Sequence, residues 1–345
     1  MPGIHSPEAL REHFRLTPSE KAWREDASGV PLGITEHYLS LIDGQDPTDP
    51  LRRQVVPTAG ENITLPYEES DPQAEEGHSV TPRLVHRYTN RAAFLVTDIC
   101  PMYCRHCFRR RFTGNLAGPA CSDEIARAAD YVGSHPEIRE VLFTGGDPLT
   151  LDNSALKSVF EAFRSRRADL IIRLCTRYPV SDPDRIDDAL CAMVASFSTA
   201  PVFVLTQFNH PRELCLQSRR ALDRLHRFGL QVFNQTVLLR GVNDDSAVLA
   251  ELFENLLGCY VKPYYLFQCD LVAGTGTFRV PLCRGMEIYR ELSTKVSGLA
   301  LPVYAIDLPG GRGKVNLGTA VISPAGEGFV DILTPEGARV RYPDK

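Results

Sequence analysis

From residue 92 onward the chain alternates between two hydrophobic periods. Short apolar runs of strand length recur at 92–96, 140–143, 170–174, 202–205, 231–238 and 263–267. Between them, apolar residues spaced three and four apart predict amphipathic helices near 123–134, 152–164, 184–196, 212–228, 245–257 and 283–296. Six β-α units in succession require parallel strands joined by right-handed crossovers. An eight-unit barrel would need two more units than the remaining residues supply. The pattern therefore predicts an α/β fold, a partial (β/α)6 barrel with its chemistry at the C-terminal ends of the strands.

Before the barrel, residues 1–80 read as a polar, helical front section; the barrel itself is expected over 81–300 and a short C-terminal segment over 301–345. Late in the front section come Glu68, Glu69, Asp71, Glu75 and Glu76. An acidic run of this kind is expected to be a solvated connector. No internal repeat or low-complexity segment interrupts the pattern.

Composition narrows the class. The 345 residues are 43% hydrophobic and 23% charged, the balance of an ordinary globular protein. A net charge of −5 gives no reason to expect a nucleic-acid partner. The first residues lack the basic stretch and apolar core of a signal peptide, and no apolar run approaches the ~18 residues that cross a bilayer. No membrane partner is expected, and the expected location is the cytoplasm. Of the ten cysteines, Cys121, Cys175, Cys191, Cys215, Cys259 and Cys283 are scattered without framework spacing and read as buried thiols in a reducing compartment.

Three other cysteines carry the strongest chemical signal. Cys100, Cys104 and Cys107, separated by three and then two residues, directly follow the first predicted strand. An electron-transfer cluster needs four thiolates and a structural zinc site four ligands; three thiolates can instead hold three irons of a [4Fe-4S] cluster and leave the fourth open to a small molecule. The alternatives are a zinc loop with His106 as fourth ligand, or cysteines that pack in a core. After the second predicted strand comes Thr144-Gly145-Gly146-Asp147-Pro148, whose glycines would let backbone approach a ligand closely; a bland strand-to-helix turn would look the same. Near the C-terminus, Asp307-Leu308-Pro309-Gly310-Gly311-Arg312-Gly313-Lys314 lacks Walker A spacing. A glycine run presenting a lysine amine suits covalent attachment of an aldehyde cofactor such as pyridoxal 5′-phosphate (PLP), although a plain exposed loop lysine is the simpler alternative.

Taken in order, these motifs resemble a particular family: lysine 2,3-aminomutase and its relatives, the PLP-dependent radical S-adenosylmethionine (SAM) aminomutases. The resemblance runs from about residue 49 to 323 and includes Asp49-Pro50-Leu51-Arg52-Arg53-Gln54, His86-Arg87-Tyr88, Cys100 to Phe112, the Gly145-Gly146-Asp147-Pro148 turn, Asn209-His210-Pro211, the stretch 234–244, Gln268-Cys269-Asp270-Leu271 and the Lys314 loop. It implies that SAM chelates the open iron and that a reductant such as flavodoxin or ferredoxin supplies the electron that cleaves SAM. Residue by residue it implies cluster ligation by Cys100, Cys104 and Cys107, SAM binding at Gly145, Gly146 and Asp147, and PLP bound through Lys314. It further implies Tyr88 against the pyridoxal ring, with Arg87 and Arg91 near the phosphate. His106 reads as structural.

For the substrate, the resemblance implies Arg109 at the carboxylate and Asp270 and Asp307 around the ε-ammonium of L-lysine. Glutamate-type relatives replace those acids with basic or amide residues. The expected activity is thus the interconversion of L-lysine and β-lysine, a small-molecule isomerisation. The alternatives are a role in β-lysine modification of elongation factor P, or a 2,3-aminomutase for another amino acid. Longer relatives carry a cysteine-rich C-terminal extension that links oligomers through zinc; no cysteine follows Cys283 here, so a homo-oligomer is left open without that link.

Overall fold

The computed structural model describes residues 3–25, 29–114 and 117–345. A small antiparallel pair, β1 (Gly3–Ile4) and β2 (Ile34–Thr35), precedes the central sheet. That sheet has ten strands: β3 (Ser79–Thr81), β4 (Leu84–Tyr88), β5 (Arg91–Thr97), β6 (Glu140–Gly145), β7 (Ile171–Cys175), β8 (Val202–Thr206), β9 (Gln231–Leu238), β10 (Lys262–Gln268), β11 (Val303–Asp307) and β12 (Lys314–Asn316). Neighbours follow chain order throughout, and β5 to β11 are all parallel. Helices Ser122–Ser134, Asn153–Arg166, Asp188–Ala195, Leu216–Arg227, Ser246–Gly258 and Leu282–Lys295 form the six crossovers. Each crossover of the same hand moves the chain one strand on, so the sheet curls with its helices outside.

The six predicted β-α units are present, and β11 adds a seventh parallel strand. The hydrophobic pattern missed it because Val303–Asp307 leads into a hairpin with β12, not into another helix. At the other edge β4 and β3 run antiparallel ahead of β5. Residues 301–345, expected as one tail, are divided: β11 and β12 complete the barrel sheet, whereas β13 (Ile322–Pro324), β14 (Phe329–Leu333) and β15 (Arg339–Pro343) form a separate antiparallel sheet.

Strand alternation separates the core from the cavity. On β6, Val141 and Phe143 are fully buried, and Leu142 and Thr144 line the barrel interior. Phe143 packs edge-on to Phe160 and Phe163 of the following helix, with ring centroids 5.1 Å apart in both pairs. Such pairs contribute roughly 0.5–1.5 kcal/mol each beyond their burial. Aspartates start the helices: Asp152, Asp187 and Asp245 each accept a first-turn N–H, at 2.8, 2.7 and 2.7 Å. Among the described residues no helix is long and apolar enough to cross a membrane.

Among the described residues the α-helices of the front section are short, Pro7–His13, Pro18–Lys21, Glu36–Leu39 and Pro50–Val55, and the section wraps the cysteine loop. Two expectations are corrected here. The acidic run is not a solvated connector: Glu68 pairs with Arg279 at 2.8 Å, Glu75 with Arg109 at 2.7 Å, and Asp71 and Glu76 with Arg111 at 3.1 and 2.8 Å. Glu68 and Glu75 are buried, because the barrel presents arginines whose charge the carboxylates match. Likewise Cys121 and Cys283, expected as buried thiols, are exposed at helix starts on the outer surface.

Candidate active site

A cavity of about 440 Å³ opens at the C-terminal ends of the parallel strands, a volume in the range of small-molecule sites, ~300–1,000 Å³. Every residue that the sequence proposed for the site lines it: Arg87, Tyr88, Arg91, Cys100, Cys104, Cys107, Arg109, Gly145, Gly146, Asp147, Asp270, Asp307 and Lys314. These positions span more than two hundred residues of chain and meet only because consecutive strand ends share one mouth.

The cysteine loop leaves β5 and is anchored from below by the front section. Tyr103 N–H donates to Gly33 O at 3.0 Å and Arg105 N–H to Gln54 O at 2.8 Å. The Arg105 guanidinium is fully buried and grips Glu61 at 2.9 and 2.7 Å; Arg110 reaches the same carboxylate at 2.6 Å. All three thiols lie on the cavity wall, and burial, then Asp147 and the other two thiols, push Cys100 well up. These three side chains, on one loop at one wall, are the ones that could hold the cluster. His106 lines the same wall. Its Nε2 accepts from Gln207 and Asn209 at 3.2 and 3.4 Å, and burial, then Arg177 and Arg110, hold its pKa well below the usual value. A further group stands beside the loop: Arg177 donates to the Cys104 sulfur at 2.7 Å and pairs with buried Glu213 at 2.9 Å.

The glycine turn after β6 has an internal cause. A Cβ at Gly145 would lie 2.3 Å from Thr97 O, and one at Gly146 2.3 Å from Ile99 O. The turn presses on the backbone that leads into the cysteines, with Gly146 N–H donating to Thr97 O at 2.6 Å and Asp147 N–H to Ile99 O at 2.9 Å. Ligand approach alone, the reason expected from sequence, is therefore not the only one. Asp147 turns its carboxylate into the protein, accepting from Thr176 Oγ1 at 2.8 Å, Arg177 N–H at 2.7 Å and Leu149 N–H at 3.1 Å. Burial pushes it up to about 6 against those hydrogen bonds.

At the opposite wall the Gly-rich segment is the hairpin between β11 and β12. Gly310, Gly311 and Gly313 all take positive φ, at 73°, 71° and 90°, which a side chain would oppose. The register sets Lys314 directly across from Asp307, and their side chains meet at 2.5 Å. Lys314 Nζ also stands 4.0 Å over the Phe267 ring, and burial lowers its pKa against the pull of Asp307. A desolvated amine on a cavity wall, flanked by Tyr265, Phe267 and Tyr88, fits the attachment of an aldehyde cofactor. Arg91 lies 3.7 Å from the Tyr88 ring centroid and donates to Asn90 at 3.0 Å. Arg87 is differently engaged: it bonds Asp307 at 3.0 Å and the Tyr88 hydroxyl at 2.7 Å. Asp270 accepts from Gln73 at 3.2 Å, and burial, then the Asp307 charge, push it up to about 7.

Arg109 holds Thr144 Oγ1 at 3.1 Å and Glu75 through Nε and Nη2 at 3.0 and 2.7 Å. Sequence reasoning missed Gln73, Glu75 and Arg177. Arg177 follows the third predicted strand, where the strand-end rule would have found it; Gln73 and Glu75 lie in the acidic run, whose sequence gives no sign that it folds over the cavity.

A barrel of parallel β-α units with three loop cysteines at its mouth defines a radical SAM enzyme, and residues 94–253 match the Radical SAM superfamily. The L-lysine 2,3-aminomutase of Clostridium subterminale is 40% identical over 312 residues, 90% of this chain and 74% of that protein. The L-lysine 2,3-aminomutase of Bacillus subtilis (strain 168) is 36% identical over 342 residues, 99% of this chain and 72% of that protein. The glutamate 2,3-aminomutase of Clostridioides difficile (strain 630) is 36% identical over 343 residues, 99% of this chain and 81% of that protein. The chain belongs to the lysine 2,3-aminomutase family. It is an isomerase, an aminomutase whose cofactors are a [4Fe-4S] cluster, SAM and PLP.

Proposed function

We propose that this enzyme interconverts L-lysine and L-β-lysine. The observation that carries the reading is the pair of acids at the far wall of the cavity. Asp270 lies just beyond β10 and Asp307 ends β11, on adjacent strands, and the Asp307 charge helps raise the pKa of Asp270. Two carboxylates at one wall of a buried site compensate a cationic side chain and repel an acidic one. This favours lysine over the glutamate of the Clostridioides difficile relative.

The chain's residues then divide the work. Cys100, Cys104 and Cys107 would hold the cluster, with SAM against the Gly145-Gly146 turn. Lys314 would hold PLP, Tyr88 its ring and Arg91 its phosphate; Arg87, with its donors on Asp307 and Tyr88, sets the geometry of that wall. Arg109 would take the substrate carboxylate at the end opposite the acids, since a guanidinium offers a carboxylate two parallel N–H groups. The cluster and SAM supply the radical and PLP the electron sink for amine migration; the protein contributes orientation and exclusion of water.

The test is anaerobic reconstitution with iron, sulfide, SAM, PLP and a reductant, followed by chiral analysis of products from lysine and, separately, glutamate. β-Lysine from the first and no β-glutamate from the second is the expected result. Conversion of glutamate in preference to lysine would overturn the reading.

A further inference from the structure

The strap formed by residues 71–78 touches both ends of the cavity. Gln73 donates its amide to Asp270 Oδ1 at 3.2 Å, and its oxygens face Arg87 Nη1 at 3.3 and 3.5 Å. Two residues on, Glu75 binds Arg109 through both carboxylate oxygens. Ala74 between them has φ 51°, a left-handed conformation that a residue with a Cβ adopts only when its surroundings impose it. The surroundings are on both sides. Asp71 caps the N–H groups of Glu75 and Glu76 at 3.0 and 2.9 Å, His78 Nδ1 meets Ala74 O at 2.8 Å, and the Lys314 hairpin bonds the strap through Gly310 N–H to Pro72 O at 2.9 Å. The left-handed turn sends neighbouring side chains to opposite ends of the site.

We propose that Gln73 and Glu75 are positioning residues for the substrate, a single strap that fixes the arginine at its carboxylate end and the aspartate at its ammonium end. This rests on the roles given to Arg109 and Asp270 above. Glu75 occupies the Nε–Nη2 edge of Arg109, and Thr144 takes one N–H of Nη1. Each Nη nitrogen carries two N–H groups, so one N–H on each is left for a carboxylate. Arg109 is 11% exposed and Glu75 9%; a cation buried to that degree needs a resident counter-charge to stay in place before the substrate arrives. Gln73 performs the matching task for Asp270, whose carboxylate would otherwise be free to turn from the incoming ammonium.

Steady-state kinetics of the reconstituted holoenzyme test this, with Arg109→Lys and Asp270→Asn as references. Glu75→Gln should raise KM for lysine by about tenfold while kcat changes by less than about threefold. Glu75→Asp, which keeps the buried charge but withdraws it by a methylene, should lie between. Gln73→Ala should raise KM several-fold. Glu75→Gln placed on top of Arg109→Lys should add little, because the two side chains act through one contact. The visible spectrum of the cluster and borohydride-trapped PLP should match the unmodified enzyme. An unchanged or lower KM in Glu75→Gln, or full additivity with Arg109→Lys, would overturn the strap's role while leaving the lysine reading standing. Should Glu75→Gln fail to load its cofactors, a Glu75→Asp enzyme of unchanged KM would have the same force. A KM insensitive to Arg109→Lys would instead remove the site assignment, and the strap's role with it.

Discussion

Asp270 gives the site a pH response. Its carboxyl sits at about 7, raised by burial and Asp307 and opposed by Gln73, Lys314 and Arg87. Below that pH it is protonated and offers an ammonium group no charge; above it the charge is present. The specificity constant for lysine should therefore fall as pH drops through 7, approaching about tenfold per unit on the acid side. Asp270→Asn should flatten that limb and lower the plateau by roughly a hundredfold. An identical acid limb in the variant would refute the assignment. Arg177 carries a second residue-scale expectation. Its N–H donates to the Cys104 sulfur, and hydrogen bonds to cluster sulfurs raise the reduction potential. Arg177→Lys, which keeps a charge beside Glu213 but loses the fork, should shift the cluster to a more negative potential in an EPR-monitored redox titration. A potential unmoved by the substitution would argue that the contact is only structural.

At the scale of elements, the cysteine loop is held by charge more than by its own conformation. Arg105, Arg110 and Glu61 form a buried triad in which two guanidiniums share one carboxylate, with side-chain exposures of 0%, 5% and 1%. Glu61→Gln would remove the charge that both buried guanidiniums share, a loss of roughly 3–5 kcal/mol. Thermal unfolding should show a clearly lower Tm, and the variant should take up less iron on reconstitution. A Tm within about a degree of the parent would contradict this reading of the triad. The loop's cysteine spacing was legible in the sequence, because ligation demands those residue types at that separation. Its anchoring was not: Glu61 lies nearly forty residues upstream, and nothing local marks it as the partner of two arginines.

For the whole molecule, the C-terminal sheet is part of the stability of the barrel. Val330, Ile332, Val340 and Tyr342 join the main hydrophobic core, and the Tyr342 hydroxyl points to Cys269 O at 3.5 Å, one residue before Asp270. Truncating a buried aromatic costs about 3–5 kcal/mol, so Tyr342→Ala should lower the urea midpoint with little change in slope. A midpoint equal to the parent's would show that the small sheet folds independently of the barrel.

The sequence by itself determined the six β-α units, because helical and strand periods are written in local spacing and successive parallel strands leave one handed way to close. It also determined the cysteine triplet and, through the order of its motifs, the family. It did not reveal β11, whose hairpin breaks the β-α rhythm, or the cross-strand register that sets Lys314 against Asp307. Tertiary structure alone decided the fate of the acidic run. Local composition measures how readily Glu68, Glu69, Asp71, Glu75 and Glu76 are solvated, whereas the burial of Glu68 and Glu75 and the pairing of Asp71 depend on Arg279, Arg109 and Arg111, brought to them by the curl of the sheet. Charge pairing between segments distant in the chain has no local period, so only the folded barrel brings Glu75 of that run to the wall of the site.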